Sequence, residues 1–415
     1  MLARLSPEVR QYLVITGNYW AFTLTDGALR MLVVLYFHQL GYAPLQVAML
    51  FVFYEIFGVI TNLVGGWLGA HIGLNKTMNI GLGLQVAALS MLLVPTAMLA
   101  VPWVMAAQAL SGIAKDLNKM SAKSSIKLLV PNDQPSALYK WVAALTGSKN
   151  ALKGVGFFLG GALLTLIGFA PAIAAMATGL LLVWLLSLVL LKRDLGKAKS
   201  KPKFRDIFSK SRAINLLSAA RLFLFGARDV WFVVALPVFL EDTLGWDFWQ
   251  VGGFLAAWVI GYGIVQSLAP YVTGRRSGKL PDGRAAFFWA TVLAAAPALM
   301  ALLLVQGQSA QTVLVVGLSV FGVLFAINSS LHSYLIVSYA AEDGVSLDVG
   351  FYYMANALGR LLGTVLSGWL FQQYGLAVCL LASAVLVALA AVVSLALPRH
   401  PAGARTTEHG QSDAP

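Results

Sequence analysis

The sequence of 415 residues has little charge, because Asp, Glu, Lys and Arg make up only 11% of it, about half of what soluble domains carry. It has a single cysteine, Cys379, which excludes a disulfide framework and a thiolate metal site. The motifs GxxxxGK(S/T), HExxH and GxSxG are all missing, so ATP-driven transport, metalloprotease chemistry and serine hydrolysis lack a site. We therefore expect no catalytic residues, no metal and no cofactor. The five histidines are scattered at positions 38, 71, 332, 400 and 409.

Apolar residues are what the chain has in excess. They make up 59% of the sequence, and the mean hydropathy is +0.78. Runs of about 20 apolar residues, enough for one membrane crossing, recur along the chain without the period-2 alternation of barrel strands. The sequence predicts an all-α polytopic membrane protein with twelve transmembrane helices. The predicted spans are 12–38, 46–70, 77–99, 102–130, 137–168, 172–191, 214–240, 249–273, 285–305, 311–338, 348–371 and 376–397.

Basic residues in the loops predict the orientation of the chain in the membrane. The stretch 192–213 holds nine basic and two acidic residues, and 274–284 holds four basic ones, whereas the loops on the other side hold no Lys or Arg. Because Lys and Arg mark cytoplasmic loops, both termini are predicted to be cytosolic. The net charge of +12 is thus explained without a nucleic-acid partner. The predicted units are an N-terminal six-helix half (1–191), a basic cytosolic linker (192–213), a C-terminal six-helix half (214–397) and a disordered cytosolic tail (398–415).

Short matches relate the two halves. LGY at 40–42 corresponds to LGW at 244–246, an offset of 204, and NAL at 150–152 recurs at 356–358, an offset of 206. Asp26 and Asp229 fall at similar depths of the first and seventh spans. Internal repeats of this kind are typical of secondary transporters, so the pattern predicts a six-plus-six transporter of the major facilitator type.

The stretch 115–153 holds seven of the fifteen lysines. Lys115, Lys119, Lys123 and Lys127 follow one another every four residues and sweep only about 120° of a helix surface. The stretch is either a cationic stripe facing a water-filled path or a basic cytosolic hairpin between two shorter spans. The internal repeat favours the first interpretation, because the equivalent segment 321–338 is apolar enough to lie in the membrane.

Charged residues deep in a membrane protein usually face the bundle interior and mark function. Seven bases against four acids predict a positively charged cavity, which favours a multiply charged anion. The expected substrate-binding residues are Lys115, Lys119, Lys149, Lys153, Arg228 and Arg360. The residues expected to carry a proton or to pair charges are Asp26, Arg30, Glu55, Asp116 and Asp229.

Some of these charges have simpler interpretations. Asp26 and Arg30 are spaced i, i+4 and are expected to neutralise each other. Asp116 has Lys119 within reach on its own helix. Glu55 stands alone in its span, either as a proton carrier, since burial favours the protonated form of a carboxyl group, or as the partner of a lysine. Four further bases are expected to extend toward the cytosolic surface, with their charges in water. They are Lys123, Lys127, Lys140 and Arg221.

Four long blocks of the sequence, 9–35, 110–131, 145–161 and 201–237, resemble the organoarsenical efflux permease family (ArsJ type) of the major facilitator superfamily. The loop GGWLGAHIGLNKTM also resembles the superfamily motif after the second span, although Ala70 and His71 replace its usual Asp and Arg. The resemblance implies a bacterial inner-membrane exporter of 1-arseno-3-phosphoglycerate, the product of glyceraldehyde-3-phosphate dehydrogenase acting with arsenate. Our hypothesis for the driving force is proton antiport.

Two other functions remain open. A positive cavity also suits an importer or exchanger of organophosphates, because sequence does not encode the direction of transport. A membrane-embedded enzyme or lipid-handling protein is disfavoured by the repeat and by the missing catalytic constellation.

Overall fold

The computed structural model describes residues 6–42, 50–131, 133–191, 195–199, 203–204, 210–273 and 280–399. Several predicted features lie outside these residues. They are most of the basic linker, Arg275, Arg276 and Lys279 of the second basic loop, and the tail from 400 onward.

The described residues form twelve long helices, which confirms the predicted fold class. The first half contains α1 (Pro7–Gln39), α2 (Val52–Ile72), α3 (Leu74–Met91), α4 (Val101–Leu129), α5 (Pro135–Ile167) and α6 (Phe169–Leu190). The second half contains α7 (Arg212–Asp242, with a break at 233–234), α8 (Phe248–Thr273), α9 (Gly283–Val305), α10 (Ala310–Tyr339), α11 (Val345–Tyr374) and α12 (Leu376–Ser394). Side-chain caps at Ser211, Asp282 and Ser309 start α7, α9 and α10 by accepting hydrogen bonds from backbone N–H groups of the first turn.

Within the described residues, eight of these helices are long and apolar enough to cross a membrane by length and composition alone. The other four are α2, α3, α4 and α11. Three of them carry charged residues that lie inside the bundle: Glu55 on α2, Lys119 on α4 and Arg360 on α11. A helix with such residues is tolerated where its polar face is covered by neighbouring helices or lines an aqueous cavity.

The two halves repeat one another in their helix links and helix contacts. Gly168 (φ 80°) joins α5 directly to α6, and Gly375 (φ 79°), 207 positions later, joins α11 to α12 in the same way. In the first half α1 meets α5 at Gly27 and Gly156, where an added Cβ at Gly27 would lie 2.8 Å from the backbone of α5. The corresponding pair, α7 and α11, meets where Gly363 would bring a Cβ within 2.6 Å of the Gly226 carbonyl. The equivalent helix pairs, α1 with α5 and α7 with α11, therefore pack with their backbones in close contact in both halves.

The bundle is closed at the face where α1 begins and α12 ends, which we call the terminus face. The end of α2 meets the start of α11, since Ser346 Oγ donates to the Gly66 carbonyl (2.7 Å). The end of α4 meets the end of α10, since Lys127 Nζ donates to the Ser338 carbonyl (3.3 Å). Tyr139 at the start of α5 also lies in this region, since its hydroxyl is hydrogen-bonded to the Thr273 hydroxyl (2.9 Å) and its ring centre lies 4.8 Å from that of Tyr334.

Candidate functional site

Helices α4 and α5 carry the lysine-rich stretch into the interior of the bundle. α4 runs without interruption to Leu129, and α5 begins at Pro135, so the stretch is not a hairpin outside the helices. The side chains of Lys115, Lys119 and Lys153 are only 14–18% exposed. The structure therefore favours the first of the two interpretations of this stretch.

Asp116 neutralises part of this lysine group from within α4. Its Oδ1 accepts from Lys119 Nζ at 2.6 Å, as the spacing suggested, and its Oδ2 lies 3.8 Å from Lys115 Nζ. Two aromatic rings support the same lysines, because Lys115 Nζ lies 3.8 Å from the ring centre of Tyr54 and Lys119 Nζ lies 4.6 Å from that of Tyr353. Tyr353 belongs to α11, so Lys119 reaches the other half of the protein.

Asp26 does not pair with Arg30, and that expectation is wrong. The Tyr54 hydroxyl donates to Asp26 Oδ1 (2.8 Å), and Lys153 Nζ lies 3.9 Å from Asp26 Oδ2. Arg30 instead reaches Glu55 Oε1 on α2 (3.2 Å). The spacing of charges within α1 does not predict this ion pair, because the partner of Arg30, Glu55, lies on another helix.

Glu55 is also not alone in its span. It contacts two arginines, Arg30 and, at 3.5 Å, Arg360 of α11. Arg360 Nε in turn bonds Asp229 Oδ2 (2.9 Å), and Asp229 Oδ1 accepts from Arg228 Nε (2.6 Å). These five residues form a continuous chain of ion pairs from α1 and α2 to α7 and α11, which we call the bridging layer.

Two bases that were expected to extend to the surface are buried instead. Lys123 is 2% exposed and donates to Thr146 Oγ1, and Arg221 is 3% exposed and donates from Nε to Asn356 Oδ1 (2.8 Å). Their expected snorkelling is wrong because α7 begins at Arg212, which places Arg221 more than two turns inside the bundle, and because α5 covers Lys123. Lys140 is exposed, and Lys127 is partly buried at the terminus face.

Three interior bases lack a carboxylate partner within the described residues, and we call them the carboxylate-free layer: Lys123, Lys149 and Arg221. In the described part of the chain none of the three has a carboxylate oxygen within 4 Å; their polar contacts are amide, hydroxyl and carbonyl oxygens. Thr146, the partner of Lys123, precedes Lys149 by three residues on α5, so Lys123 meets the face of α5 that carries Lys149.

A relay of neutral side chains joins the two ends of this layer. Lys149 Nζ donates to Asn150 Oδ1 (3.2 Å), and Asn150 Nδ2 donates across the two halves to Gln266 Oε1 (2.6 Å). Gln266 Nε2 and Arg221 Nη1 both donate to Ser329 Oγ, at 3.1 and 3.2 Å. The relay orients two cations without cancelling their charge.

The whole charged centre thus contains nine bases and four carboxylates in the described residues. All eleven residues named from the sequence lie in it, and Lys123 and Arg221 are the additions. Both additions had a signal in the sequence, because Lys123 is four residues from Lys119 and Arg221 is seven from Arg228, which places each on a face already named. No group of three or more His, Cys, Asp or Glu in the described part converges to hold a metal ion.

Exposure falls along the bundle toward the terminus face. The side chains of Arg30, Glu55 and Arg360 are 26–29% exposed, while Arg221 and Lys123 are 3% and 2% exposed. The centre is therefore reached from the opposite face and sealed from the terminus face. Two six-helix halves that are closed on one side and meet around a charged centre are typical of a membrane transporter.

The chain belongs to the Major Facilitator Superfamily, whose family model matches residues 15–342 and 259–413. No curated protein sequence is significantly similar to the chain.

Solved structures share the fold at low sequence identity. The human organic anion transporter MFSD10 (TETRAN) superposes with a TM-score of 0.75 at 16% identity, over 94% of this chain and 100% of that one. A bacterial homologue of the iron transporter ferroportin, in an outward-facing state, gives 0.71 at 16% identity, over 92% and 98%. The E. coli fucose:proton symporter FucP gives 0.73 at 11% identity, over 94% and 98%. At these identities the likeness establishes the fold and nothing finer.

Proposed function

We propose that this transporter is a secondary active exporter of a small organic anion, 1-arseno-3-phosphoglycerate, and confers resistance to arsenate. The observation that carries the proposal is the excess of basic over acidic side chains at the centre of the bundle, where nine bases face four carboxylates within the described residues. An uncompensated positive centre in a low-dielectric bundle attracts a multiply charged anion. The arsenical identity of that anion rests on the family resemblance of the four sequence blocks.

The proposed substrate-binding residues are Lys115, Lys119, Lys149, Lys153, Arg228 and Arg360. Guanidinium groups suit phosphate-like oxygens because they donate two parallel hydrogen bonds, and ammonium groups add point charges that adapt to ligand shape. Arg228 and Arg360 share Asp229. An arriving anion would compete with that carboxylate for the two arginines.

Asp26, Glu55 and Asp229 are the candidates for a coupling proton. Glu55 and Asp229 each contact two arginines, whereas within the described residues Asp26 has one basic partner, Lys153 at 3.9 Å, and a hydrogen bond from the Tyr54 hydroxyl. A carboxylate with one distant cation loses the least when its charge is neutralised. Asp26 is therefore our preferred proton carrier.

The proposed setting is a bacterial inner membrane with the terminus face in the cytosol, as the basic loops predict. In this orientation the structure represents the state that is open to the outside. Glyceraldehyde-3-phosphate dehydrogenase is the proposed functional partner, since it would supply the arsenylated acid to the cytosolic side.

The proposal is tested by uptake into everted membrane vesicles that contain the protein. Arsenate is supplied alone, or together with glyceraldehyde 3-phosphate, NAD and the dehydrogenase. We expect arsenic to accumulate only with the full set, and not in vesicles without the protein. Accumulation from arsenate alone, or none with the full set, would refute the proposed substrate.

Import or exchange of organophosphates is the second candidate, because the same excess of bases binds a phosphate ester whichever way the protein moves it. Rapid flux of 3-phosphoglycerate with no accumulation of arsenic from the full set would favour this function.

A further inference from the structure

We propose that Lys123, Lys149 and Arg221 form a second anion subsite, so that the transporter selects small molecules with an anionic group at each end. The inference rests on the proposed transport of a small organic anion and names the residues that hold its second charged group. Lys123 and Arg221 were not among the residues expected to bind substrate.

The first argument is that these three bases have no carboxylate partner within the described residues, at a position where burying a charge is costly. Arg221 and Lys123 are 3% and 2% exposed, and their polar contacts are Thr146, Asn356 and Ser329, none of which carries charge. A buried cation is usually paired with an acid, as Lys119 is with Asp116 in the same bundle. An anionic group of a ligand supplies the partner that the protein omits.

The second argument is that the cations are positioned as a set. The relay Lys149–Asn150–Gln266–Ser329–Arg221 runs from α5 through α8 and α10 to α7, and therefore fixes Lys149 relative to Arg221 across both halves. Asparagine, glutamine and serine orient donors without adding charge. A relay built to stabilise the empty bundle would gain more from a carboxylate at any of its three positions.

Unsatisfied polar atoms are the third observation. Close to Arg221, both ring nitrogens of His332 and the hydroxyl of Tyr352 are buried without a hydrogen-bond partner within the described structure. Native proteins leave few such groups unsatisfied. Oxygen atoms of a bound anion would give the Tyr352 hydroxyl, and a donor nitrogen of His332, their missing partners.

The fourth argument is spacing. Arg221 precedes Arg228 of the bridging layer by seven residues on α7, so the two arginines leave the helix roughly 10 Å apart along its axis. Lys and Arg side chains reach several ångströms from their helices, so the two layers can hold opposite ends of one short molecule. A ligand with one anionic end would use only one of them.

The test compares two probes of equal carbon length with the purified full-length protein. 3-Phosphoglycerate has a phosphate and a carboxylate at opposite ends, and glycerol 3-phosphate has the phosphate only. We expect the wild type to bind 3-phosphoglycerate about tenfold more tightly, the effect of one charge-assisted contact. Arg221→Gln and Lys123→Met should bring the ratio of the two Kd values close to one, while the Kd for glycerol 3-phosphate changes by less than about threefold.

Two controls separate a subsite from the general field of the bundle. Lys115→Gln removes one charge from the acid-paired part of the centre, so it should weaken both probes alike and preserve their ratio. Lys140→Gln changes an exposed lysine and should leave both Kd values unchanged. If Arg221→Gln does not fold, Lys123→Met carries the test.

A wild-type ratio near one would overturn the inference, and so would equal weakening of both probes by Arg221→Gln and Lys123→Met. The outcome is independent of the arsenical proposal. Selective binding of 3-phosphoglycerate without arsenic accumulation in vesicles would support the subsite and refute the arsenical substrate. Arsenic accumulation without selective binding would support the arsenical substrate and refute the subsite.

Discussion

In the bridging layer every arginine contacts a carboxylate, whereas in the carboxylate-free layer the hydrogen bonds of the three bases, within the described residues, go to neutral oxygens. Arg30, Arg228 and Arg360 share Glu55 and Asp229, and their ion pairs connect the two halves. Lys149 and Arg221 are connected across the halves by amides and a hydroxyl. In the bridging layer the carboxylates of the protein neutralise the arginines. In the proposed carboxylate-free layer a ligand would do so.

The difference also suggests two roles in alternating access. In the proposed transport cycle, ion pairs that join the halves rearrange when the halves rock, so the bridging layer would oppose movement until an anion replaced its carboxylates. The carboxylate-free layer lies nearer to the closed terminus face and would be the first charged layer met from that side when it opens. Substitutions in either layer test this difference.

The largest effect is expected from Asp229→Asn, which leaves Arg228 and Arg360 without their shared, fully buried carboxylate. Removing one partner of a buried ion pair costs about 3–5 kcal/mol. Thermal unfolding of the purified protein should show a clearly lower midpoint, together with loss of transport. Asp242→Asn, on the exposed end of the same helix, is the matched control and should change neither. Equal midpoints for the two variants would show that the bridging layer does not stabilise the fold.

Lys119→Ala and Lys153→Ala test the part of the centre between the two layers. Each variant removes a partly buried charge, and loss of one charge-assisted contact to substrate lowers flux at least about tenfold. Vesicle uptake gives the flux, and immunodetection confirms that the folded protein is in the membrane. Lys140→Ala, an exposed lysine of α5, should transport like the wild type. Wild-type flux in both variants would remove the lysines from the substrate path.

Asp26→Asn separates coupling from binding. If Asp26 carries the proton, uptake driven by a pH gradient should be lost, while exchange of labelled for unlabelled substrate continues at near the wild-type rate. Both fluxes are measured in the same vesicles, with and without the gradient. Loss of exchange as well would assign Asp26 to substrate binding, and intact gradient-driven uptake would eliminate it as the carrier.

The smallest effect is expected where α2 and α11 close the terminus face. A Cβ at Gly350 would lie 2.6 Å from the Asn62 carbonyl, so Gly350→Leu should weaken closure and shift the population toward the state open at that face. A shift of about 1 kcal/mol changes the ratio of states about fivefold. A cysteine introduced by Ser338→Cys, with Cys379→Ser, should then be labelled a few times faster.

Gly368→Leu is the matched control for this prediction, since a Cβ at Gly368 on the same helix would meet nothing within 4 Å. Equal labelling rates in the two variants would contradict the assignment of the closed face.

Apolar runs and the internal repeat together predict the twelve helices, although α2, α3, α4 and α11 do not qualify as membrane spans by length and composition alone. The sequence also favoured placing the lysines of α4 inside the bundle, since the repeat equates 115–132 with an apolar helix of the second half. Both predictions depend on the order of residues along the chain, which can be read directly from the sequence.

The pairing of charges was not predictable in the same way. Arg30 has Asp26 four residues before it on its own helix, yet it bonds Glu55 because α2 packs beside it. The burial of Lys123 and Arg221 likewise depends on where α5 and α10 pass, and on the exact start of α7. Such contacts are decided by helix packing, which a single sequence does not specify.

The most direct test of the account is counterflow of labelled 3-phosphoglycerate in liposomes that contain only the purified protein. We predict rapid uptake into liposomes preloaded with unlabelled compound, none with neutral glycerol as the labelled species, and none in the double variant Lys119→Ala with Lys153→Ala. Uptake no faster than in protein-free liposomes, or undiminished uptake by the double variant, would contradict transport of an organic anion through the basic centre.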